Sequence, residues 1–377
     1  MVEQHAKGTG GAKRVLLVGG GHAHVAVLAD WIRRGPLPGA RSVLLTPEPT
    51  LRYSGMVPGW IAGQHEQGDG LVDLVALAAR AGVELVQDRC VALDPDARTV
   101  TTANGARIAF DFASFDTGGE GRGARLLGAD PRLLDVRPIS AFVARLAALP
   151  APAHVVIAGG GAGGVELAFA MRNRAGAGTP PSVSLATGAG GLLPGFAPAV
   201  QRRTARALTR QGIAMLASDV RFESGAVAAG GQSLEPVDLV IAATGSAAPG
   251  WLRASGIAAD AAGYMAVDAQ HCSISHPHIL AAGDVAARAD RPLAHSGVHA
   301  VFAGPVLAAN LRALLDGHTP RRAYHPRPHS LYLLNTGDGS AIASYGSLSA
   351  EGRWVLALKH RIDKAWIAQY AALARGV

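Results

Sequence analysis

The sequence predicts an α/β fold because one pattern, a strand, a glycine turn and a helix, occurs twice. The first copy is RVLLVGGGHAHVAVL at residues 14–28, and the second is HVVIAGGGAGGVELA at residues 154–168. In each copy a short apolar run meets a cluster of glycines, and an apolar helical segment follows. This is the opening of a Rossmann unit. The repeat predicts two Rossmann-like dinucleotide-binding domains, followed by a small C-terminal segment.

Both glycine turns are suited to the pyrophosphate of a dinucleotide. Glycine lets the backbone turn sharply and approach the phosphates, and the N–H groups and dipole of the following helix attract the anion. The second turn has Gly159, Gly161 and Gly164 at all three motif positions, whereas the first has Gly19 and Gly21 but His24 at the third. One such motif is weak evidence, but two copies predict two dinucleotides.

Composition excludes several classes of protein. A net charge of +7 suits phosphate-bearing ligands, and no Lys/Arg block with interleaved aromatic residues predicts nucleic-acid binding. The two cysteines, Cys90 and Cys272, are far apart, which excludes a disulfide scaffold and a CxxC redox pair and favours a cytoplasmic protein. We expect residues 1–14 to be a loose polar lead rather than a signal peptide. Glycine and proline interrupt the uncharged stretches too often to predict a membrane-spanning helix.

Shorter patterns complete the first half. A second strand ends at Thr46, where many Rossmann units carry an acid for the ribose. Strands are predicted over residues 83–100 and 107–115, with a hairpin turn at Asn104-Gly105. A helix over 140–149, with Ser140 as its N-cap, leads to a predicted domain boundary near residue 150.

In the second half, a strand over 182–186 ends at Thr187-Gly188, which offers neither an acid for an NAD ribose nor an arginine for an NADP phosphate. A helix is predicted over 199–211 and a strand over 237–242. That strand ends in Thr244-Gly245. The strand predicted over 107–115 likewise leads into Thr117-Gly118. A strand then runs into Gly283-Asp284, where Asp284 either holds a sugar hydroxyl or caps a helix. A helix over 298–315 follows.

The C-terminal segment differs in pattern from the two Rossmann units. Residues 331–345 predict two strands around a turn at residues 335–339, and residues 353–373 predict an amphipathic helix. Its apolar stripe comprises Val355, Leu358, Ile362, Trp366, Tyr370 and Leu373. Lys359, Arg361 and Lys364 are expected to lie off that stripe. The helix is either interfacial at a membrane or packed on the protein's own body or a twin subunit.

Taken in order, these pieces resemble the pyridine nucleotide-disulfide oxidoreductase superfamily, the glutathione-reductase-like two-domain flavoproteins. The similarity is closer to type II NADH dehydrogenases and sulfide:quinone oxidoreductases. It is closer still to the flavoprotein module fused to selenide water dikinase in some bacteria. The motifs that carry the resemblance are VGGGHAHVAVL, YSGMVPG, GGGAGGVELA, HPHILAAGDVA and LNTGDGSAIASYGSLSAEGRW.

The resemblance implies a discontinuous FAD domain (13–150 and 265–325), an NAD(P)H domain (151–264) and a C-terminal segment (326–377). The pyrophosphate of FAD would lie at Gly19 and Gly21, and Asp284 would hold the ribitol. Further cofactor contacts are expected from His22, His24, Thr46, Pro47, Ser54, Gly55, Met56, Thr117, Gly118, Gly283, Ser296 and Val298. NAD(P)H would bind at Gly159, Gly161, Gly164, Thr244 and Gly245.

Two residues are candidates for the chemistry, and no metal site is predicted. The resemblance places Glu166 where nicotinamide meets flavin, with a role as helix-dipole partner as the alternative. His295 stands where relatives often carry lysine. It is expected either to donate to the O2/N1 edge of the flavin and titrate near neutral pH, or to face solvent.

The predicted function is therefore that of an FAD-dependent oxidoreductase without a redox-active disulfide. It would pass a hydride from NAD(P)H to the flavin, and then electrons to a quinone or another small acceptor. One alternative is a flavoprotein that oxidises a small sulfur or selenium compound directly. Another is a non-enzymatic, flavin-bearing interaction or redox-sensing protein. The expected surroundings are the cytoplasm or the inner membrane face, with peripheral membrane contact through residues 354–377 and a homodimer as further expectations.

Overall fold

The computed structural model describes residues 11–376, so most of the predicted polar lead lies outside the described residues. The elements up to residue 148 are β1 (Lys13–Val18), α1 (His22–Arg34), β2 (Ala40–Thr46), β3 (Thr50–Arg52), α2 (Val57–Ile61), β4 (Leu71–Asp73), α3 (Leu74–Arg80), β5 (Val83–Gln87), β6 (Cys90–Asp94), β7 (Thr99–Thr102), β8 (Arg107–Ala109), β9 (Phe112–Phe115), α4 (Gly123–Leu127), β10 (Leu133–Asp135) and α5 (Ile139–Ala148).

The middle of the chain forms β11 (His154–Ala158), α6 (Ala162–Arg172), β12 (Ser182–Ala186), α7 (Pro198–Arg210), β13 (Ala214–Leu216), β14 (Val220–Glu223), β15 (Ala226–Ala229), β16 (Gln232–Ser233), β17 (Leu239–Ala242), α8 (Gly250–Ala254) and β18 (Met265–Val267). The last part forms β19 (Ile279–Ala281), β20 (Ala286–Arg288), α9 (Gly297–Leu315), β21 (Tyr332–Asn335), β22 (Ala341–Tyr345), β23 (Leu348–Gly352) and α10 (Arg353–Arg375). Single 3-10 turns cover Ser54–Met56 and Gly283–Val285.

The first unit is built on a parallel sheet in the order β19-β9-β1-β2-β5. In β1, Val18 pairs with Leu45 of β2 on one side and with Phe115 of β9 on the other. Because all five strands are parallel, their carboxyl ends lie along one edge of the sheet. Ligands of open α/β sheets bind at that edge, beside the point where strand order reverses. The glycine turn after β1 lies at this point.

The second unit repeats the arrangement in a parallel sheet ordered β10-β17-β11-β12-β13. Here β11 lies between β12 and β17, so Gly159 follows the central strand as Gly19 does in the first sheet. The two sheets confirm the predicted α/β class with two Rossmann-like units.

Helix α9 is packed most extensively against α1. A Cβ atom at Gly304 would collide with the side chain of Ala26 and the carbonyl oxygen of Ala23, so glycine permits this close approach. Leu307 and Leu311 are buried beside α1. By length and composition alone α9 could cross a membrane, which is contrary to the sequence-based expectation. Pro305 lies inside this helix, however, and 44% of its most apolar 18-residue stretch is buried. Its packing is that of a core helix.

The division between the two units differs from the predicted one. Strand β10 pairs with β17 of the second sheet, and Phe142 and Leu146 of α5 pack in the core of that unit. Conversely, Leu252 of α8 packs in the core beneath the first sheet. The predicted boundaries at 150 and 264 were therefore displaced, because strands as short as β10 carry too little periodicity to reveal their partners.

Two local predictions were also wrong. Residues 107–115 form two strands, because Phe110 turns into the core and Asp111 leaves the strand to accept the backbone N–H of Arg14 at 2.7 Å. Helix α5 begins at Ile139 with Pro138 as its extended N-cap residue, so Ser140 lies inside the first turn.

The C-terminal segment contains the predicted hairpin, extended by β23 to three strands, and the predicted helix α10. Helix α10 packs on the protein's own body, with Val355 and Tyr370 buried. The predicted stripe is only partly buried, because Leu358 is 36% and Ile362 is 42% exposed. Lys359 is instead 7% exposed, so its predicted position off the buried face was wrong.

Candidate functional site

A cleft of about 890 Å³ lies at the carboxyl edge of the first sheet and receives residues from both units. Ten of the predicted cofactor-binding residues line it: Gly19, Gly21, His22, Thr46, Pro47, Ser54, Thr117, Gly118, Gly283 and Asp284. The structure therefore brings together residues that are up to about 265 positions apart in the sequence. Gly55, Met56, Ser296 and Val298 lie next to lining residues but do not form the wall.

The glycine turn of the first unit is supported from below by Asp116. Its carboxylate accepts the backbone N–H groups of Ala23 at 2.7 Å and His24 at 3.0 Å, and a Cβ atom at Gly21 would collide with it. Burial raises the pKa of Asp116 to about 7, despite these two hydrogen bonds, and the nearby charge of Asp284 raises it further. Near neutral pH a large fraction of Asp116 is thus protonated, which limits its repulsion of an anion on the turn.

The two histidines at the start of α1 have different positions. His24 is fully buried, with Nδ1 2.6 Å from the carbonyl oxygen of Gly19 and Nε2 2.9 Å from Oγ of Ser114. It braces the turn and does not line the cleft, which differs from the predicted direct contact. His22 lines the cleft, and its Nε2 is buried with no hydrogen-bond partner in residues 11–376. Burial lowers the pKa of both histidines to about 4, so both are neutral.

Asp284 faces the cleft. Its carboxylate, 9% exposed, forms an ion pair with the guanidinium of Arg137, which comes from the segment between β10 and α5 of the second unit. Asp284 makes no helix-capping hydrogen bond, so the structure favours the first of its two predicted roles. Its position, the glycine cradle and the unpartnered nitrogen of His22 together fit the expected FAD.

A buried cluster of charges lies where α6 of the second unit meets α10 and the segment after β3. Glu166 of α6 accepts the backbone N–H of Asn335 at 2.9 Å. Lys359 of α10 donates to the carbonyl oxygen of Gly55 at 3.0 Å and pairs with Asp363 at 3.2 Å. Asp363 in turn accepts the hydroxyl of Tyr53 at 3.2 Å. We call Glu166, Lys359, Asp363 and Tyr53 the acid–lysine cluster.

The electrostatics of the acid–lysine cluster follow from burial. Burial raises the pKa of Glu166, and the charge of Lys359 partly opposes that shift. For Lys359, burial acts to lower the pKa, but Glu166 and Asp363 outweigh it, so its pKa is raised and it stays an ammonium. The pKa of Tyr53 is raised by burial and by Asp363. The cluster thus combines the Lys359 ammonium, which stays charged, with the Glu166 carboxyl, which can take up a proton.

Aromatic rings connect this cluster to the cleft. Tyr53 stacks on Trp366 with ring centroids 4.6 Å apart, and Trp366 lies 5.4 Å from the ring of His22 in the cleft wall. The predicted YSGMVPG motif therefore lies between the cleft and the acid–lysine cluster, although only Ser54 of residues 53–56 forms part of the cleft wall.

The second glycine turn is tightly packed. A Cβ atom at Gly164 would collide with the carbonyl oxygen of Gly159, and Gly159 itself has φ +131°. At the end of β12 the hydroxyl of Thr187 donates to the carbonyl of Leu216 at 3.2 Å. Thr244 follows β17, on the other side of β11, and has a buried hydroxyl without a partner among the described residues. Gly161 and Gly245 complete the predicted set on this edge of the second sheet.

His295 lies apart from the cleft. It is exposed, its Nε2 is 3.2 Å from the carbonyl oxygen of Ala286, and its ring packs on Tyr264 at 4.1 Å. It lines a small cavity that touches the cleft only at Gly283. Of its two predicted positions, the structure favours the solvent-facing one.

The two cysteines are free and buried in different cores. Burial raises the pKa of each thiol to about 12, so neither Cys90 nor Cys272 is a thiolate near neutral pH. Cys90 lines the cofactor cleft, and Cys272 lies in a different core and cannot pair with it.

Sequence reasoning missed Asp116, Arg137 and the pairing of Lys359 with Asp363 as parts of the site. Asp116 follows a buried strand directly, which was an available signal. Lys359 and Asp363 stand four residues apart, the spacing of facing helical side chains, and this could have marked them as an ion pair, although not as a buried one. Arg137 carried no local signal.

One curated relative matches part of this chain. In Aquifex aeolicus, a sulfide-quinone reductase is 29% identical over 107 residues, which are 28% of this chain and 24% of that relative. The aligned part thus spans about a quarter of the relative's length.

Solved structures share the fold. The sulfide:quinone oxidoreductase from Aquifex aeolicus has a TM-score of 0.76 at 18% identity, covering 96% of this chain and 92% of that one. A ferredoxin reductase from Rhodopseudomonas palustris has a TM-score of 0.71 at 22% identity, with coverages of 88% and 81%. An NADH-bound, water-forming NADH oxidase from Lactobacillus brevis has a TM-score of 0.72 at 20% identity, with coverages of 89% and 75%.

The family assignment rests on a wider match. The model of the pyridine nucleotide-disulphide oxidoreductase family matches residues 13–304, which include both glycine turns and the Gly283-Asp284 step. The chain therefore belongs to the pyridine nucleotide-disulphide oxidoreductase family and is a flavin-dependent oxidoreductase with FAD and NAD(P)H as its cofactors.

Proposed function

We propose that the protein oxidises NAD(P)H at its FAD and passes the electrons directly to a small acceptor of the quinone type. One observation carries this proposal. Glu166 follows the second glycine turn by two residues, and its carboxylate lies in the acid–lysine cluster, close enough to Lys359 and to Tyr53 of the first unit for their charges to interact. The first turn of α6, the helix that would hold a nicotinamide nucleotide, thus lies next to the part of the first unit where the flavin ring is expected.

When bound, FAD would supply the two-electron chemistry, and the residues of the chain supply position, charge and protons. The turn at Gly19 and Gly21 would hold the pyrophosphate, and Asp284 would accept hydroxyl hydrogens of the ribitol. His22 offers a neutral imidazole nitrogen to the same ligand. Glu166, whose pKa is raised by burial, can hold a proton near the reacting edge and release it.

Direct transfer to a small acceptor is favoured because Cys90 and Cys272 lie in different cores and cannot form a redox-active pair with each other. The similarity to a sulfide-quinone reductase from Aquifex aeolicus supports a quinone as acceptor. Two electrons and two protons convert a quinone into its quinol, and the acid–lysine cluster supplies exchangeable protons close to the cleft.

We further propose that the exposed face of α10 contacts an anionic membrane surface from the cytoplasmic side, where a quinone would be available. Trp354 is 61% exposed, and the exposed Leu358 and Ile362 extend the same apolar stripe along the helix. Arg361 and Lys364 flank this stripe and are exposed. An apolar stripe flanked by basic residues is typical of interfacial helices.

The decisive experiment is anaerobic mixing of the purified yellow protein with NADH and, separately, NADPH in a stopped-flow instrument. The proposal expects rapid bleaching of the flavin by at least one nucleotide, followed by reoxidation when a soluble quinone is added. A flavin that neither nucleotide reduces would contradict the proposal. Such a result would favour direct oxidation of a small sulfur or selenium compound. The observation that supports this alternative is that Thr187 stands where an acid would bind the ribose of NAD.

A further inference from the structure

Three connections lie side by side at the carboxyl edge of the second sheet, beside the second glycine turn. They are residues 159–161, 187–197 and 217–219, which follow the adjacent parallel strands β11, β12 and β13. Their sequences contain one charged residue, Asp219. Where these connections meet a bound nucleotide, they therefore present a single carboxylate and no cation.

The carboxylate of Asp219 lies against the residue that follows Thr187 at the end of β12. A Cβ atom at Gly188 would collide with Oδ1 of Asp219, and Gly188 has φ +62°, so glycine is required here on both counts. Thr187 in turn packs on the glycine turn, because a Cβ atom at Gly160 would lie 2.9 Å from the Cβ atom of Thr187. Asp219 is thus separated from the glycine turn by a single layer of backbone.

The hydroxyl of Thr187 is already engaged, whereas the carboxylate of Asp219 is accessible. The backbone N–H and the hydroxyl of Thr187 both donate to the carbonyl oxygen of Leu216, at 2.9 and 3.2 Å. Asp219 is exposed and makes no hydrogen bond or ion pair within residues 11–376. At this edge the free acceptor is therefore Asp219.

The position of this carboxylate matters for the choice between two nucleotides. In Rossmann units an acid at the end of the second strand accepts the ribose hydroxyls of NAD, and an arginine nearby binds the 2′-phosphate of NADP. Here the end of β12 has Thr187 and Gly188, and the side chain of Asp219 fills the space beside Gly188 from another segment. A carboxylate accepts two hydroxyl hydrogens and repels a phosphate at the same place.

We propose that Asp219, from the connection between β13 and β14, takes the place of the absent acid after β12 and makes the second unit selective for NAD(H) over NADP(H). Its carboxylate accepts the hydroxyls of the adenosine ribose. This inference rests on the proposed function, in that a nicotinamide nucleotide binds at the second glycine turn. It depends neither on hydride transfer nor on the acceptor.

The test is isothermal titration calorimetry of the oxidised, FAD-containing protein with NAD⁺ and NADP⁺, a mixture in which no hydride can pass to the flavin. We expect the wild type to bind NAD⁺ at least tenfold more tightly than NADP⁺. Asp219→Asn keeps the shape of the side chain and should weaken NAD⁺ binding about tenfold, since it removes charge-assisted hydrogen bonds, without weakening NADP⁺ binding. Glu223→Gln removes an exposed acid at the opposite end of β14 and is the matched control, expected to bind both nucleotides as the wild type does.

ADP-ribose, which lacks the nicotinamide, locates the contact. Its affinity should fall in Asp219→Asn by the same factor as that of NAD⁺, and an unchanged affinity would overturn the proposal. Wild-type protein that binds neither nucleotide, or NADP⁺ as tightly as NAD⁺, would also overturn it, as would equal losses for NAD⁺ and NADP⁺ or an unchanged NAD⁺ affinity in Asp219→Asn. If NAD⁺ binds through Asp219 but NADH does not bleach the flavin, the proposed function fails and this inference stands. If NADPH bleaches the flavin and NADP⁺ binds more tightly than NAD⁺, the inference fails and the proposed function stands.

Discussion

Replacing Lys359 with methionine removes the only ammonium of the acid–lysine cluster and keeps most of the side-chain volume. The side chains of Lys359 and Asp363 are 9% and 5% exposed, and their charged atoms are 3.2 Å apart. Removing one partner of a buried ion pair costs about 3–5 kcal/mol, because the remaining charge is left without compensation. We therefore expect Lys359→Met to lower the free energy of unfolding by that amount and the melting temperature by on the order of 10 °C.

The assay is urea unfolding followed by tryptophan fluorescence, with Lys364→Met as the matched control. Lys364 is an exposed lysine on the same helix, so its replacement should change the free energy of unfolding by less than about 1 kcal/mol. The double variant Lys359→Met/Asp363→Asn should recover part of the loss, since it leaves one buried carboxyl fewer. The reasoning is refuted if Lys359→Met and Lys364→Met are equally stable.

Three other measurements test separate parts of the structure. Gly164→Ala places a methyl group against the carbonyl of the turn and should weaken NAD(P)H binding at least tenfold in a fluorescence titration, whereas Gly163→Ala points into open space and should not. The Asp116 carboxyl has a pKa raised from 3.8 to about 7, so the folded state binds an extra proton between those values. The free energy of unfolding should therefore fall as pH rises from 4 to 7, by at most about 1.4 kcal/mol per pH unit; urea unfolding of Asp116→Asn should lack this component. Trp354→Gln/Leu358→Gln should reduce co-sedimentation with anionic vesicles several-fold without changing flavin content, and unchanged sedimentation would argue against the membrane face.

The sequence was most informative where structure is decided locally. Both glycine turns, their flanking strands and ten of the residues that line the cleft were predicted, because turn geometry and an apolar run are properties of a few adjacent residues. The residues alone left the role of Asp284 open; the resemblance assigned it to the ribitol of FAD, and the fold places it in the wall of the cleft.

What the sequence did not reveal depends on contacts between distant segments. The partner of β10 is decided by three residues pairing with β17, about 105 positions later. Lys359 was expected to lie off the apolar stripe of α10 because it is charged, but it is buried. The opposite orientation is stable only because Asp363, Glu166 and a backbone carbonyl meet it there, and no periodicity within the helix contains that information.

The acid–lysine cluster also has a consequence for how the protein is made. Tyr53 and Asp363 are joined across 310 positions, so the cluster cannot form on the ribosome until α10 has been synthesised. Contacts of such long sequence separation form late in folding. A nascent or truncated chain can therefore shape both glycine turns while Glu166 still lacks its cation. Helix α10 thus supplies Glu166 with its cation only after the segments that carry both glycine turns have been synthesised.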